Sequence, residues 1–228
     1  MRTTSIVILA IVLFASTNAL TSQDIIRAVN FARKNPLIIR DRIKATYPDP
    51  GRGTDLTCYS DAQTFLTTQP SLPPLVESAA ADYSSWKQSK YCVTVNGTIT
   101  HYGEGGSTPK TRLDAVGTFD PSWATNENIA VTYRQNTIYP AADEFVMMWI
   151  TDCGVPKRGH RLNIYDASVT QQGCGVFQGP MTKSGISYTG TVVTCAGAKG
   201  LAIKEETKVK LAEASLSLDK NDVGFTGV

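Results

Sequence analysis

The spacing of hydrophobic residues changes from helical to strand-like along this chain, and that change limits the folds open to it. After a capping-box pair, Thr21 and Asp24, hydrophobic residues recur at helical spacing until Pro36 interrupts the pattern. Helical spacing returns in three later segments: 37–43, 75–91 and 141–150. Segments 173–177 and 186–195 instead read as two strands around a turn-rich stretch. Helices followed by a strand pair predict the α+β class, with helices packed on a small antiparallel sheet in a single domain.

Three other segments lack a clear period. Residues 46–71 and 93–126 are rich in proline, glycine, serine and threonine, which predicts mostly irregular structure. Residues 201–228 contain few large apolar side chains, so we expect a loosely attached C-terminal extension with room for a short helix. Trp149 lies on a hydrophobic helical stripe and is expected in the core.

The first 19 residues have the pattern of a signal peptide. Arg2 supplies a positive start, residues 6–15 are apolar, and Thr-Asn-Ala at 17–19 is a small-residue cleavage site. The apolar run is shorter than the roughly 20 residues that span a bilayer, although an uncleaved anchor is the alternative. The pattern predicts a secreted, extracellular protein with a mature chain that begins near Leu20 and has no transmembrane segment.

An exported chain is expected to pair its cysteines in disulfides. The five cysteines are Cys58, Cys92, Cys153, Cys174 and Cys195. We predict a Cys58–Cys92 bridge, which would close the 46–71 segment onto the end of the helix that precedes Cys92. Cys153–Cys174 is preferred as the second bridge, with Cys174–Cys195 across adjacent strands as the alternative. The odd number leaves one free thiol or one bridge to another chain.

The charge balance excludes one class of partner. The chain has 22 lysines and arginines against 20 acidic residues, a formal net charge of +2, and no run of basic residues. A nucleic-acid partner is therefore not expected, because such proteins carry a basic face. Asn96 begins an Asn-Gly-Thr sequon and is a candidate glycosylation site in a secreted protein.

Three segments contain most of the residues suited to chemistry, and both histidines of the chain lie in them. The first runs from Thr-His-Tyr-Gly at 100–103 to Arg112, the second is Asn-Glu-Asn-Ile-Ala at 126–130, and the third ends in Gly-His-Arg-Leu-Asn-Ile at 159–164. In this order they resemble the CAP superfamily of cysteine-rich secretory, antigen 5 and pathogenesis-related 1 proteins, in its bacterial and protist form. The resemblance covers roughly residues 24–197.

The resemblance implies a CAP (SCP) domain over residues 20–200, folded as an α-β-α sandwich, with an insert at about 37–70 that is longer than most members have. It also implies a cleft lined by two histidines and two acids: His101, Glu127, Asp152 and His160. The histidines would be ligands of a divalent metal such as zinc, and the carboxylates would orient the imidazoles. Four further motif residues are expected to fix the surrounding loops: Arg112, Asn128, Arg161 and Asn163.

Two positions depart from the family pattern. Asn126 stands where the family usually has glycine, and Asp152 stands where it commonly has glutamate, which leaves the role of the shorter carboxylate open. The alternative to a metal site is a polar network that holds loops together without an ion. Imidazoles more than about 8 Å apart would exclude a single shared ion, because each zinc–nitrogen bond is about 2 Å long.

Three functions remain open at this point. The preferred one is a non-enzymatic binding module for a lipid, a sterol or an extracellular protein, because members of the family differ widely in role. A weak hydrolase would need His101 or His160 as a base with Ser107 or a metal-bound water, and the chain has neither a Gly-x-Ser-x-Gly nor a His-Glu-x-x-His motif. A surface-coat protein would use the odd cysteine for a disulfide between chains.

Overall fold

The computed structural model of the protein describes residues 19–119 and 125–217. Its helices are α1 (Ser22–Lys34), α2 (Pro36–Thr46), α3 (Cys58–Thr68), α4 (Ala79–Tyr91), α5 (Pro109–Val116), α6 (Ala142–Thr151), α7 (Gly159–Ile164) and α8 (Glu205–Ser217). Its strands are β1 (Val76–Glu77), β2 (Gly117–Thr118), β3 (Asn126–Arg134), β4 (Gln171–Lys183), β5 (Ile186–Ala198) and β6 (Ala202–Ile203). The predicted signal peptide lies outside the described residues except for Ala19, and it stays a prediction.

The central sheet is built on the predicted hairpin. β4 and β5 pair antiparallel around Ser184 and Gly185, whose φ angles of 51° and 78° suit a two-residue type I′ turn. The strands therefore extend much closer to the turn than the composition of the 179–185 segment indicated. The strand order is β1-β4-β5-β3, with β3 antiparallel to β5 and β1 parallel to β4. The pairs β4–β5 and β5–β3 are antiparallel as predicted, and the two-residue parallel pair of β1 with β4 makes the sheet mixed.

Helices cover both faces of this sheet. α4 lies so close to β4 that a Cβ atom on Gly175 would be 2.0 Å from the backbone nitrogen of Trp86. On the other face, Val176 and Val193 share a buried cluster with residues of α1 and α6, among them Ile25 and Trp149. The three layers confirm the α+β class, and Trp149 is a core residue as predicted.

The two segments predicted to be mostly irregular each contain a helix. α3 falls within residues 46–71 and buries Ala62 and Leu66, one helical turn apart, against the core. α5 falls within residues 93–126, where Thr108 caps the helix and Pro109 occupies its first turn. α3 buries four residues among polar neighbours, and α5 buries only Leu113 and Val116, so neither helix has a long hydrophobic stripe in its sequence.

Both preferred disulfides are wrong. The structure joins Cys58 to Cys153 and Cys174 to Cys195, with Cα–Cα distances of 5.1 and 4.1 Å, and leaves Cys92 as a buried free thiol. Cys58 and Cys92 cannot meet because they belong to hydrophobic clusters on opposite faces of the sheet. Cys174 faces its neighbour on β5 directly, as in the alternative pairing.

The C-terminal segment is attached over its first residues. β6 pairs with β2, and Leu201 and Leu211 are buried. The expected loose attachment does not hold here: Leu201 and Ile203 pack against the α4–α5 layer, and Leu211 of α8 is also buried. Among the described residues, none of the helices has the length and apolar character needed to cross a membrane.

Candidate functional site

The first half of the site is His101 with a buried carboxylate. Glu127 lies near the start of β3 with only 2% of its side chain exposed, and its Oε1 is 2.8 Å from Nδ1 of His101. The guanidinium of Arg112, on α5, donates to the other carboxylate oxygen and also to the carbonyl oxygens of His101 and Ser107. Arg112 therefore fixes both the acid and the loop that presents the histidine.

The second half repeats this pairing with His160. Asp152 ends α6 in a left-handed conformation with φ of 52°, and its side chain is 2% exposed. One carboxylate oxygen is 2.7 Å from Nδ1 of His160, and the other accepts the backbone N–H of His160 at 3.0 Å. The shorter aspartate therefore reaches its histidine because the chain between them folds back tightly.

The two imidazoles lie side by side. Their ring centroids are 6.4 Å apart, and the ring planes differ by 27°. The side chain of His101 is 48% exposed and that of His160 is 18% exposed. Because each Nδ1 is engaged by a carboxylate, each Nε2 is the ring nitrogen left for a ligand.

Three asparagines tie the two halves together. Asn128 Nδ2 donates to the carbonyl of His160 at 3.1 Å. Asn163 Nδ2 donates to Oδ1 of Asn128 at 2.8 Å and to the carbonyl of Glu127 at 3.2 Å. Asn126 Nδ2 donates to the carbonyl of Asn163 at 3.3 Å, so the side chain that departs from the family pattern joins the same network.

A second network supports the His160 segment; of its members, Arg161 is predicted from the sequence motifs, but Arg158, Asp55 and Asp61 are not. Arg158 donates to both Asp55 and Asp61, and Arg161 donates to Asp61. Arg161 also donates to the carbonyls of Ile150 and Thr151, close to Asp152. These pairs and the Cys58–Cys153 disulfide join the insert to the α6–α7 connection. Their partners are about a hundred residues apart in sequence, so no local pattern could have found them.

The chemistry of the site is that of two imidazoles supported by two acids. Within the described ranges, no group of three or more histidine, cysteine or acidic side chains surrounds a common point. The carboxylates face the Nδ1 atoms and would act as orienting acceptors for a metal-bound histidine pair. In the same ranges the side-chain hydrogen bonds of both histidines go to carboxylates, and neither imidazole bonds to a serine or cysteine nucleophile.

Two remaining candidates lie apart from this cleft. Asn96 is exposed at the end of a short π-helical turn, and its glycosylation stays a prediction. Cys92 is buried on the α4 side of the sheet, so the observation behind the surface-coat hypothesis, a cysteine available to another chain, is not met.

Comparison with known proteins identifies one family. The family model described as "CAP: Cysteine-rich secretory protein family" matches residues 26–196, about three quarters of the chain. The match spans α1 through β5 and contains all the cleft residues described above. No curated protein matches the sequence at the significance required.

Proposed function

The chain belongs to the cysteine-rich secretory protein (CAP) family, and from that premise we propose that it is a secreted, non-enzymatic binding module with a cleft that holds a divalent metal ion such as zinc between His101 and His160. The arrangement favours binding over catalysis because it has paired imidazoles and acids but no adjoining nucleophile among the described residues. Two disulfides fit an oxidising compartment.

One observation carries the metal proposal. Each histidine has its Nδ1 held by a buried carboxylate, which is the arrangement that fixes the tautomer of a metal-ligating histidine and leaves Nε2 as the donor. The ring centroids are 6.4 Å apart, which is at the upper end of the separation that two zinc–nitrogen bonds of about 2 Å allow, so a small approach of the rings would complete a shared site. Neutral imidazole nitrogen is a preferred donor for zinc.

The donor set also limits the affinity. Two protein ligands leave other coordination positions for water or for a group of a bound molecule, as in open rather than structural zinc sites. We therefore expect weaker binding than at a closed four-ligand site. Because each imidazole must be neutral to bind, zinc should compete with protons, and binding should weaken in acid.

Calorimetric titration of zinc into the tag-free protein tests the proposal. We expect saturable binding to the wild type and no binding after His101→Ala with His160→Ala. Asp152→Asn should weaken binding about 10–100-fold, because the orienting carboxylate is lost. Glu144→Gln removes an exposed acid outside the cleft and should leave binding unchanged. No heat from a folded wild-type protein would refute the metal proposal.

Secretion has a separate test. The protein recovered from the medium of an expressing eukaryotic cell should begin near Leu20 when its N-terminus is sequenced. Retention of residues 1–19 on protein held in the membrane fraction would instead show an uncleaved anchor.

A further inference from the structure

The outer edge of β3 is a candidate binding surface that adjoins the histidine cleft, since Asp152 and His160 line the groove beside it. β3 is the last strand of the sheet, since its one strand neighbour in the order β1-β4-β5-β3 is β5. A groove of about 260 Å³ lies along it and is floored by residues 129–131 of the strand. A strand at the edge of a sheet presents backbone N–H and C=O groups that can pair with another chain.

The tight turn between β4 and β5 fixes which backbone groups face which strand. Lys183 and Ile186 flank a two-residue turn and form the pair that exchanges both hydrogen bonds. Along the hairpin, residue pairs that exchange backbone hydrogen bonds then alternate with residue pairs that do not. Pro180, which has no N–H, falls in a non-bonded pair opposite Thr189, as this alternation requires. The even-numbered residues of β5 therefore bond to β4, and the odd-numbered residues face β3.

The pairing of β5 with β3 extends this alternation of hydrogen-bonded pairs to β3, the edge strand of the sheet. Thr191 and Val193 of β5 are paired with Thr132 and Ala130 of β3, so the even-numbered residues of β3 bond to β5. The odd-numbered residues of β3 turn their N–H and C=O outward. The outward carbonyl of Glu127 agrees with this, since it accepts the side-chain N–H of Asn163.

Ile129, Val131 and Tyr133 come next on that outward side. Across residues 19–119 and 125–217, their backbone N–H and C=O groups make no hydrogen bond to the backbone of a turn, loop or helix. Buried or half-buried backbone groups normally have a partner. The groove thus runs along a row of donors and acceptors that fits the backbone of one more strand.

The residues that line the groove favour docking of one extended peptide segment over pairing with the sheet of a second copy of the protein. The apolar side chains that line it are Ile99, Met148, Trp149 and Val155. Trp149 is buried, and its indole N–H has no hydrogen-bond partner among the described residues. A second copy of the protein would bring its own helices against these walls, whereas a lone extended segment meets the edge, the apolar side chains and the polar groups of Asp152 and His160.

We propose that the β3 edge docks an extended peptide segment of a partner protein, which adds to the sheet as a fifth strand with apolar side chains at alternate positions. Main-chain hydrogen bonds to residues 129–133 supply the affinity, and the apolar walls select the side chains. Arg52 lines the same groove and is exposed, so the segment carries an acidic residue at that end. Asp152 and His160 of the histidine cleft also line this groove, but none of the docking contacts uses the Nε2 atoms of the histidines, so the peptide proposal and the metal proposal can fail separately.

The test uses a fluorescent eight-residue peptide in which valine alternates with threonine and glutamate closes each end. Fluorescence anisotropy should show saturable binding to the full-length protein. The same peptide with N-methyl groups on alternate residues, on the register that removes the N–H donors facing β3, should bind at least about tenfold more weakly, because its side chains are kept and its donors are lost. Equal binding of the two peptides, or no binding of either, would overturn the proposal.

Two substitutions of Val131 test whether the peptide binds at the β3 edge. Val131→Pro removes an outward N–H without removing a bond to β5, and it should abolish binding, whereas Val131→Thr keeps the N–H and should bind as the wild type does. The peptide comparison on wild-type protein decides the question if Val131→Pro does not fold. A dimer in sedimentation that Val131→Pro dissolves, or tighter peptide binding after removal of residues 218–228, would show a different occupant of the edge and overturn the assignment to a partner protein.

Discussion

Two carboxylates of similar burial meet opposite surroundings in this protein. Glu127, in the cleft, lies between the guanidinium of Arg112 and the imidazole of His101. Asp82, in the first turn of α4, is 7% exposed and accepts from the hydroxyl of Ser22 and from the backbone N–H of Cys174. No ion pair within the described ranges includes Asp82. Burial alone therefore does not decide whether an acid keeps its charge; its partners do.

The difference appears in the titration of Asp82. Removal from water raises the pKa of Asp82 to about 7, and the negative charge of Glu77 adds to this rise. The hydrogen bonds from Ser22 and Cys174 act in the opposite direction and do not cancel it. The cleft carboxylate is thus paired with a guanidinium and an imidazole, while the carboxyl group of Asp82 on α4, with a pKa of about 7, is mostly neutral below that pH.

The largest expected effect comes from breaking the cleft pair. Arg112→Met leaves Glu127 buried without its guanidinium and should lower the free energy of unfolding by about 3–5 kcal/mol, measured by urea denaturation at pH 7. Arg134→Met is the matched control, because its partner Glu144 is 45% exposed, and it should cost less than about 1 kcal/mol. Equal losses in the two variants would show that the cleft pair does not depend on burial.

The same contrast explains what the sequence could predict. The hairpin and the helices at α1, α4 and α6 follow from the spacing of hydrophobic residues, and the resemblance to the CAP family grouped the four cleft residues. Asp82 gave no such signal, because its environment is made by Ser22 and Cys174, which lie 60 and 92 residues away in sequence. The pairing of Cys58 failed for a related reason, since the face of the sheet on which a cysteine lies is a property of the packed chain.

The second prediction is that a substitution of the buried Asp82 stabilises the protein, whereas altering a buried group usually destabilises it. The folded pKa of Asp82 is about 7 and the unfolded value is about 3.9, so the folded state holds more protons between these values. The stability contributed by the protonated acid is therefore fully present below about pH 4 and is lost as the pH rises to about 7. Asp82→Asn cannot ionise and should raise the free energy of unfolding by about 2–4 kcal/mol at pH 8, with little change at pH 4.

Urea denaturation at several pH values checks this prediction. Asp114→Asn is the control, since Asp114 is exposed beside Lys110 and should change stability by less than about 1 kcal/mol at either pH. A destabilised Asp82→Asn protein at pH 8 would mean that the carboxylate is charged and well solvated by its neighbours in the folded state.

The smallest effect tests the hydroxyl that connects α1 to this acid. Ser22 donates to Asp82 and, at 3.3 Å, to Glu77. Its bond to Asp82 favours the charged carboxylate, so Ser22→Ala should raise the pKa of Asp82 further and move the pH-dependent loss of stability upward. We expect a cost of about 1–2 kcal/mol at pH 8, where the acid is charged, and a smaller cost at pH 5. An equal cost at both pH values would show that the Ser22 hydroxyl stabilises the N-terminal helix through packing or Glu77 and not through the charge on Asp82.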